Sequence, residues 1–277
     1  MGSATGFIVG GVAALPQAFI DAGITVRNWR DDPSLRLVIG SGGDGTARRT
    51  SRIRGIVIHT TQGKWPQAIK LGVSPAGTGG EANARYWSRA ASQAGAHLIV
   101  DTGQEILQTC DLLTEAAYHA GGVNDVTVGI EIVQASDGSL WEDQLTATVL
   151  LCDYLTKQFQ IQRQIPAPYK QNTPCPRLMA GGRDFFGVYG HRDQTTDRGR
   201  GDPGDTIMQR LNAAGYEIVD VLHDADKDLW RSRQAHLNTA NNAGITVDGE
   251  PGTQTCNALR AVYGNPLWVP RPIDGAV

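Results

Sequence analysis

His59 ends the apolar run Ile56-Val57-Ile58, and His191 follows Val188-Tyr189-Gly190 far along the chain. Asp202 stands in Gly201-Asp202-Pro203-Gly204, and Glu131 interrupts Val128-Gly129-Ile130-Glu131-Ile132-Val133. Two imidazoles and a carboxylate can hold a zinc ion and leave one position open for water. A further carboxylate that does not ligate can then move that water's proton. This is hydrolase chemistry. On position alone each residue keeps an alternative. His59 could be a core histidine bonded to a backbone carbonyl. Asp202 could cap a helix that starts at Pro203, and Asp193, two residues after His191, competes for the ligand role. Glu131 could be a strand-edge carboxylate in an ion pair, although a lone carboxylate in so apolar a run is costly to bury without a partner or a task. Neither His-Glu-x-x-His nor Cys-x-x-Cys occurs, so no short zinc spacing supports the reading. No Gly-x-Ser-x-Gly elbow points to a serine hydrolase either.

The elements that must position these groups can be read from hydrophobic pattern. Residues 53–58 form a buried strand that carries His59 at its carboxyl end, followed by a long loop over 62–80 and a helix over about 81–92. Residues 96–100 and 105–108 flank Asp101-Thr102-Gly103-Gln104 as a hairpin, and 126–133 is another buried strand. Apolar residues at helical spacing (Leu145, Val149, Cys152, Leu155, Phe159) predict a long amphipathic helix over 141–159. A short strand over 185–189 delivers His191, and a helix opens at Asp202-Pro203-Gly204, runs to about Ala214 and stops at Gly215. Strands alternating with helices predict an α/β domain, a central mixed β-sheet with helices on both faces. Before it, 24–29 alternates like a strand, 36–40 could be another, and Ser41-Gly42-Gly43-Asp44-Gly45 reads as a turn without the Gly-Lys-Ser/Thr of a phosphate loop. After it, 228–240 is helical in composition, 247–252 is a turn cluster and 253–263 a second helix.

The wording around the polar residues adds to their spacing. Val57-Ile58-His59-Thr60-Thr61, Ala117-Tyr118-His119-Ala120-Gly121, Gly129-Ile130-Glu131, and His191-Arg192-Asp193 with Asp202-Pro203-Gly204 occur in this order. Together they resemble the zinc-dependent N-acetylmuramoyl-L-alanine amidases of the type-2 family, which includes many phage endolysins and the related peptidoglycan recognition proteins. The resemblance covers roughly residues 50 to 217. It implies the fold of that family, a Zn2+ cofactor held by His59, His191 and Asp202, and Glu131 as the catalytic base. Asp193 falls where the family has a structural aspartate. Arg200 falls two residues before the aspartate ligand, where the family often has a lysine that stabilises the oxyanion; arginine keeps the charge but cannot give up its proton. His119 and Tyr118 are expected to line the substrate cleft, Trp65 and the 77–80 loop to form one wall of it, and His97 to support the fold. The run from Arg233 to Asn238 with Val247 to Thr255 resembles a small helical peptidoglycan-binding domain; a plain helical hairpin packed on the catalytic domain is the rival reading.

The expected organisation is an N-terminal extension of unclear role (1–50), a zinc amidase catalytic domain (51–220) and a small helical peptidoglycan-binding-like domain (223–266). The resemblance implies hydrolysis of the amide between N-acetylmuramate and L-alanine in bacterial peptidoglycan, as in a phage-type lytic enzyme. The alternatives are a non-catalytic peptidoglycan-binding protein on the same fold and a host wall-recycling amidase. Composition is compatible with this. At 277 residues the chain can bury a sizeable core. A net charge of −3 supplies no basic field for nucleic acid, and no run approaches the ~20 apolar residues of a membrane span. Met1 to Gly11 lacks the basic start of an export signal, so the chain is expected to be made in the host cytoplasm, to reach the wall after release, and to act as a monomer. The scattered Cys110, Cys152, Cys175 and Cys256 are expected to be free, mostly buried thiols.

Overall fold

The computed structural model describes residues 6–40, 45–48, 52–61, 68–77, 79–89, 93–166, 185–194, 201–219 and 227–249, with Gln254, Thr255, Ala258 and Ala261. Phe7–Val9 (β1) and Val12–Ala14 (β2) form a hairpin, followed by Gln17–Asp21 (α1) and Thr25–Asn28 (β3). Then come Gly45–Ala47 (β4), Gly55–Thr60 (β5), Ile69–Lys70 (β6), Gly79–Trp87 (α2), Leu98–Asp101 (β7), Glu105–Gln108 (β8), Glu115–Ala117 (β9), Thr127–Ile132 (β10) and Leu140–Trp141 (β11). The second half adds Glu142–Phe159 (α3), Gln164–Pro166 (β12), Val188–Gly190 (β13), His191–Gln194 (α4), Asp205–Ala213 (α5), Glu217–Val219 (β14) and Lys227–Asn241 (α6).

Six of these strands form one sheet in the order β13-β5-β10-β7-β8-β3. The first four run parallel, β8 turns antiparallel to β7, and β3 lies parallel to β8, so the sheet is mixed. Its strands alternate sides with period two. Ile56, Ile58, Val128, Ile130, Leu98 and Val100 pack in one cluster with Leu145, Leu151 and Leu155 of α3 and Ile207 and Leu211 of α5. Val57 faces the other way, in a cluster with Phe185, Tyr189, and Trp230 and Leu237 of α6. Ile99 and Leu107 share a third cluster with Ala84 and Trp87 of α2. Helices cover both faces, which is why the parallel strands read as near-continuous apolar runs. The same parity puts His59 and Glu131 on the Val57 face.

The described residues before 50 are part of this body. Strand β3 closes one edge of the sheet. Phe7 meets Phe19 edge-on at 5.0 Å and stacks on Tyr154 of α3 at 4.9 Å between ring centroids. The Asp111 carboxylate accepts backbone N–H groups from Gly10 and Gly11 on the hairpin and from Leu113 and Thr114 beside it. The strand expected over 36–40 does not form; Ile39 makes only an isolated bridge to Gly45, while Leu35 and Leu37 are buried under α2. Within the expected 62–80 loop, β6 pairs with β11.

In the tail, Trp230 is fully buried in the cluster that contains Val57 and Tyr189. Gln234 ties the following turn down: its Oε1 accepts from the Gly249 amide, and its Nε2 donates to Asp248 and Thr255. Most of the second helix expected over 253–263 lies outside the described residues. Cys110 and Cys152 are free buried thiols, and burial pushes Cys110 up to about 12; Cys175 and Cys256 lie outside the described residues. Among the described residues, no helix is long and apolar enough to cross a membrane.

Candidate metal centre

The candidate ligands meet at the carboxyl ends of neighbouring parallel strands, where open α/β sheets place their ligands. His59 is the fifth residue of β5, in register with Glu131 of β10. Gly190 pairs with Ile58, so His191 emerges beside His59 as β13 ends and α4 begins. His59 Nδ1 lies 2.9 Å from His191 Nδ1, which is 3.1 Å from Asp202 Oδ2; His59 Nδ1 is 3.9 Å from Asp202 Oδ1. All three residues are buried, and among the described residues they are the group able to hold a metal ion. Zinc bonds of about 2.0–2.2 Å to nitrogen and oxygen put tetrahedral ligand atoms roughly 3.3 Å apart. The observed separations bracket that value, and an N,N,O donor set suits zinc.

Asp202 is far from β5 in sequence, yet it is held firmly. Its Oδ1 accepts the Thr60 amide at 3.0 Å, its carbonyl accepts the Arg192 amide at 2.7 Å, and Thr60 Oγ1 donates to the Gly201 carbonyl at 2.8 Å. Burial alone would push this carboxyl up; His191, His59 and the Thr60 amide outweigh it and hold it below the usual carboxylate range. The helix-cap alternative is not realised, because α5 starts at Asp205 with Gly204 as its N-cap. Asp193 is occupied differently. Its carboxylate accepts the Gly190 amide at 2.6 Å within the strand end.

Glu131 shares a cleft of about 560 Å³ with the three ligands. Tyr118 and His119 line it too, and α2 supplies a wall through Asn83, Tyr86 and Trp87. His119 is buried, and that burial, with His97, His191 and Arg48 nearby, holds its imidazole well below the ordinary range, as a neutral ring. His97 is neutral for the same reason, burial first and Arg48 second. Its Nδ1 accepts the Gly129 amide at 3.0 Å, a supporting bond under β10. Four imidazoles thus run in file, His191–His59–His119–His97, with centroids 4.5, 5.3 and 5.5 Å apart. Trp65 and Arg200 lie outside the described residues.

A family profile described as N-acetylmuramoyl-L-alanine amidase matches residues 49–205, more than half of the chain. The chain belongs to this amidase family. Its trace is similar to a mutant endolysin from Bacillus subtilis (TM-score 0.42, 18% identity, 68% of this chain and 99% of that one). It is also similar to Drosophila peptidoglycan recognition protein SD (TM-score 0.43, 15% identity, 72% and 99%). A third similarity is to the Staphylococcus aureus hydrolase AmiA in complex with its ligand (TM-score 0.38, 15% identity, 70% and 82%). No curated protein sequence matches the chain.

Several residues that shape this amidase-family centre carry no chemistry of their own. Thr60 orients Asp202 through its backbone amide, which any residue type could supply. Gly190 leaves room for Pro203: a Cβ there would lie 2.4 Å from the proline Cδ. A glycine at a strand end is the local sign of a close approach, but Pro203 as the partner was not legible in the chain. Asn83, Tyr86 and Trp87 were inside the predicted helix, but nothing in its pattern said which face met the cleft.

Proposed function

We propose that this protein is a zinc-dependent N-acetylmuramoyl-L-alanine amidase that cuts bacterial peptidoglycan. The observation that carries the proposal is the convergence of His59 Nδ1, His191 Nδ1 and Asp202 within a cleft that also holds Glu131. When bound by these three residues, a zinc ion supplies the Lewis acidity that activates water and polarises the scissile carbonyl. Glu131 takes the proton from the attacking water and delivers it to the L-alanine nitrogen as the carbon–nitrogen bond breaks. The products are the free lactyl carboxylate and a stem peptide with a new amino terminus. Arg200 is assigned the positive charge that faces the developing oxyanion; because it stays protonated, the proton transfer remains with Glu131. The Asn83-Tyr86-Trp87 wall supports a role for α2 in seating the stem peptide, and Tyr118 and Trp65 are kept as substrate contacts.

The biological role we propose is that of a phage-type lytic enzyme acting on the wall, with the segment after 223 contributing wall affinity from its place against the sheet. Digestion of purified peptidoglycan with mass analysis of the products tests the reaction. Free stem peptides beginning with L-alanine, lost in Asp202→Ala, are the expected result; new reducing sugar ends would show a glycosidase, and tight binding without cleavage would show a recognition protein.

A further inference from the structure

We infer that His119 is a positioning residue for the metal ligand His59, fixing that ring's tautomer and orientation through a hydrogen-bond chain that ends on a backbone carbonyl. The inference rests on the zinc amidase reading above. The chain can be read from its outer end. Thr127 Oγ1 lies 2.7 Å from the Val123 carbonyl, which can only accept, so the hydroxyl proton is committed there. Thr127 Oγ1 is also 3.1 Å from His119 Nε2 and has only lone pairs left to offer, so Nε2 must carry the ring proton. His119 Nδ1 is therefore unprotonated and accepts from His59 Nε2, 3.1 Å away. With its proton on Nε2, His59 presents an unprotonated Nδ1, the atom that faces His191 and Asp202. Each bond fixes the polarity of the next, and the last of them turns a lone pair toward the metal position.

The surroundings hold His119 in that attitude. Thr127 is 1% and His119 9% exposed, so water does not compete for these bonds. Asn124 Oδ1 accepts the His119 backbone amide at 3.1 Å and the Ala120 amide at 2.7 Å, which fixes the turn that presents the ring. The ring lies flat against β10 where that strand has Gly129: a Cβ at this position would be 2.5 Å from His119 Cγ. A glycine inside a buried strand marks such a close approach. Both ring nitrogens of His119 are thereby engaged, one by a ligand and one by Thr127, and neither is left for the substrate. Partners of this kind on a metal-bound histidine commonly control affinity by about 10–100-fold.

Zinc affinity, measured by competition with a chromophoric chelator, and the absorption spectrum of the cobalt-substituted protein test this without recourse to activity. His119→Phe keeps the ring volume and loses both nitrogens; it should weaken zinc about 10–100-fold and shift the cobalt bands. His119→Asn, which can keep an acceptor near the Nδ1 position, should recover most of the loss. Thr127→Val should weaken zinc and Thr127→Ser should not, a pair that decides the matter even where His119→Phe fails to fold. Gly129→Ala, which touches no ligand, should behave like Thr127→Val. Nitrogen NMR of the histidine rings should find the proton on Nε2 of both His59 and His119. Zinc-binding wild type with unchanged affinity and cobalt spectrum in His119→Phe and Thr127→Val, or a His119 proton on Nδ1, would overturn this inference alone. Wild type that binds no zinc would overturn the amidase reading with it.

Discussion

Alanine at position 190 should perturb the candidate metal centre from a position that itself supplies no ligand atom. Gly190 does not adopt left-handed backbone, so alanine meets no conformational obstacle there; what it meets is Pro203. The added Cβ would stand 2.4 Å from Pro203 Cδ and 3.3 Å from both Arg192 Cγ and Asp193 Oδ2, whereas ordinary contact begins at 3.4 Å. The proline must retreat by about 1 Å, the difference between 3.4 and 2.4 Å. It cannot do so without carrying Asp202, to which it is covalently joined. The bonds from the Thr60 amide to Asp202 Oδ1 and from the Arg192 amide to the Asp202 carbonyl resist that movement, so either they stretch or β13 is pushed from β5. A shift of about 1 Å is half of a zinc–oxygen bond of roughly 2.0–2.2 Å. Zinc affinity should therefore fall about 10–100-fold, equivalent to about 1.4–2.8 kcal/mol. Misplacement on this scale should also cost roughly 100-fold in kcat/KM. Chelator competition gives the affinity directly, and the zinc-induced rise in melting temperature, which depends on the ratio of free zinc to Kd, gives it independently. Gly122→Ala, whose Cβ would meet nothing within 4 Å, is the control. Wild-type zinc affinity and an undiminished zinc-induced rise in Gly190→Ala would refute the packing argument.

Three further outcomes are expected. Glu131→Gln should lower turnover on a soluble muropeptide by about 10²–10⁴-fold with zinc content unchanged; near-wild-type cleavage would leave Glu131 a structural carboxylate. Trp230→Ala should destabilise the folded protein by about 3–5 kcal/mol in denaturant titrations, because its ring is fully buried in the cluster that includes Val57 and Tyr189; a loss under about 1 kcal/mol would mean that α6 is only tethered. Burial alone would raise the Asp111 carboxyl, but the amides of Thr114, Gly11, Leu113 and Gly10 hold it below the usual range. A depressed carboxylate contributes stability that is fully present above its unfolded pKa of about 3.9 and is lost as pH falls through the folded value. Asp111→Asn should be less stable at neutral pH by about 2–3 kcal/mol and show a flatter acid limb than wild type; identical acid limbs would contradict the assignment.

What could be read from sequence was what depends on neighbours in the chain. β-Branched residues before His59, a glycine before His191 and the apolar run around Glu131 identified strands that carry polar groups, and the sheet sets those groups at adjacent carboxyl ends. Long-range pairings were not legible. Strands β1 and β2 have three residues each and gain their place through partners a hundred positions away, such as the Ile8 amide on Gln108. The alternation at Leu35, Leu37 and Ile39 imitates a strand but comes from packing under α2, without a ladder partner. His119 reads as a cleft residue because its partner His59 is 60 positions earlier; the interrupted β10 pattern at Gly129 was the only local trace of the ring lying there.

Asp193 and Asp202 form an internal comparison that bears on which aspartate faces the candidate metal position. Both carboxylates are buried and both lie close after His191 in the chain. Asp193 accepts a backbone amide at 2.6 Å and lies 4.0 Å from Arg192 Nε, so its charge is met by donors and a neighbouring cation. Asp202 also has a backbone amide on one oxygen, but its other oxygen faces His191 Nδ1, which in turn faces His59 Nδ1. A single divalent ion at the point these atoms share would engage all three at once, as the separations of 2.9, 3.1 and 3.9 Å allow. That difference between two neighbouring aspartates places Asp193 in the scaffold and leaves Asp202 as the carboxylate facing the candidate metal position.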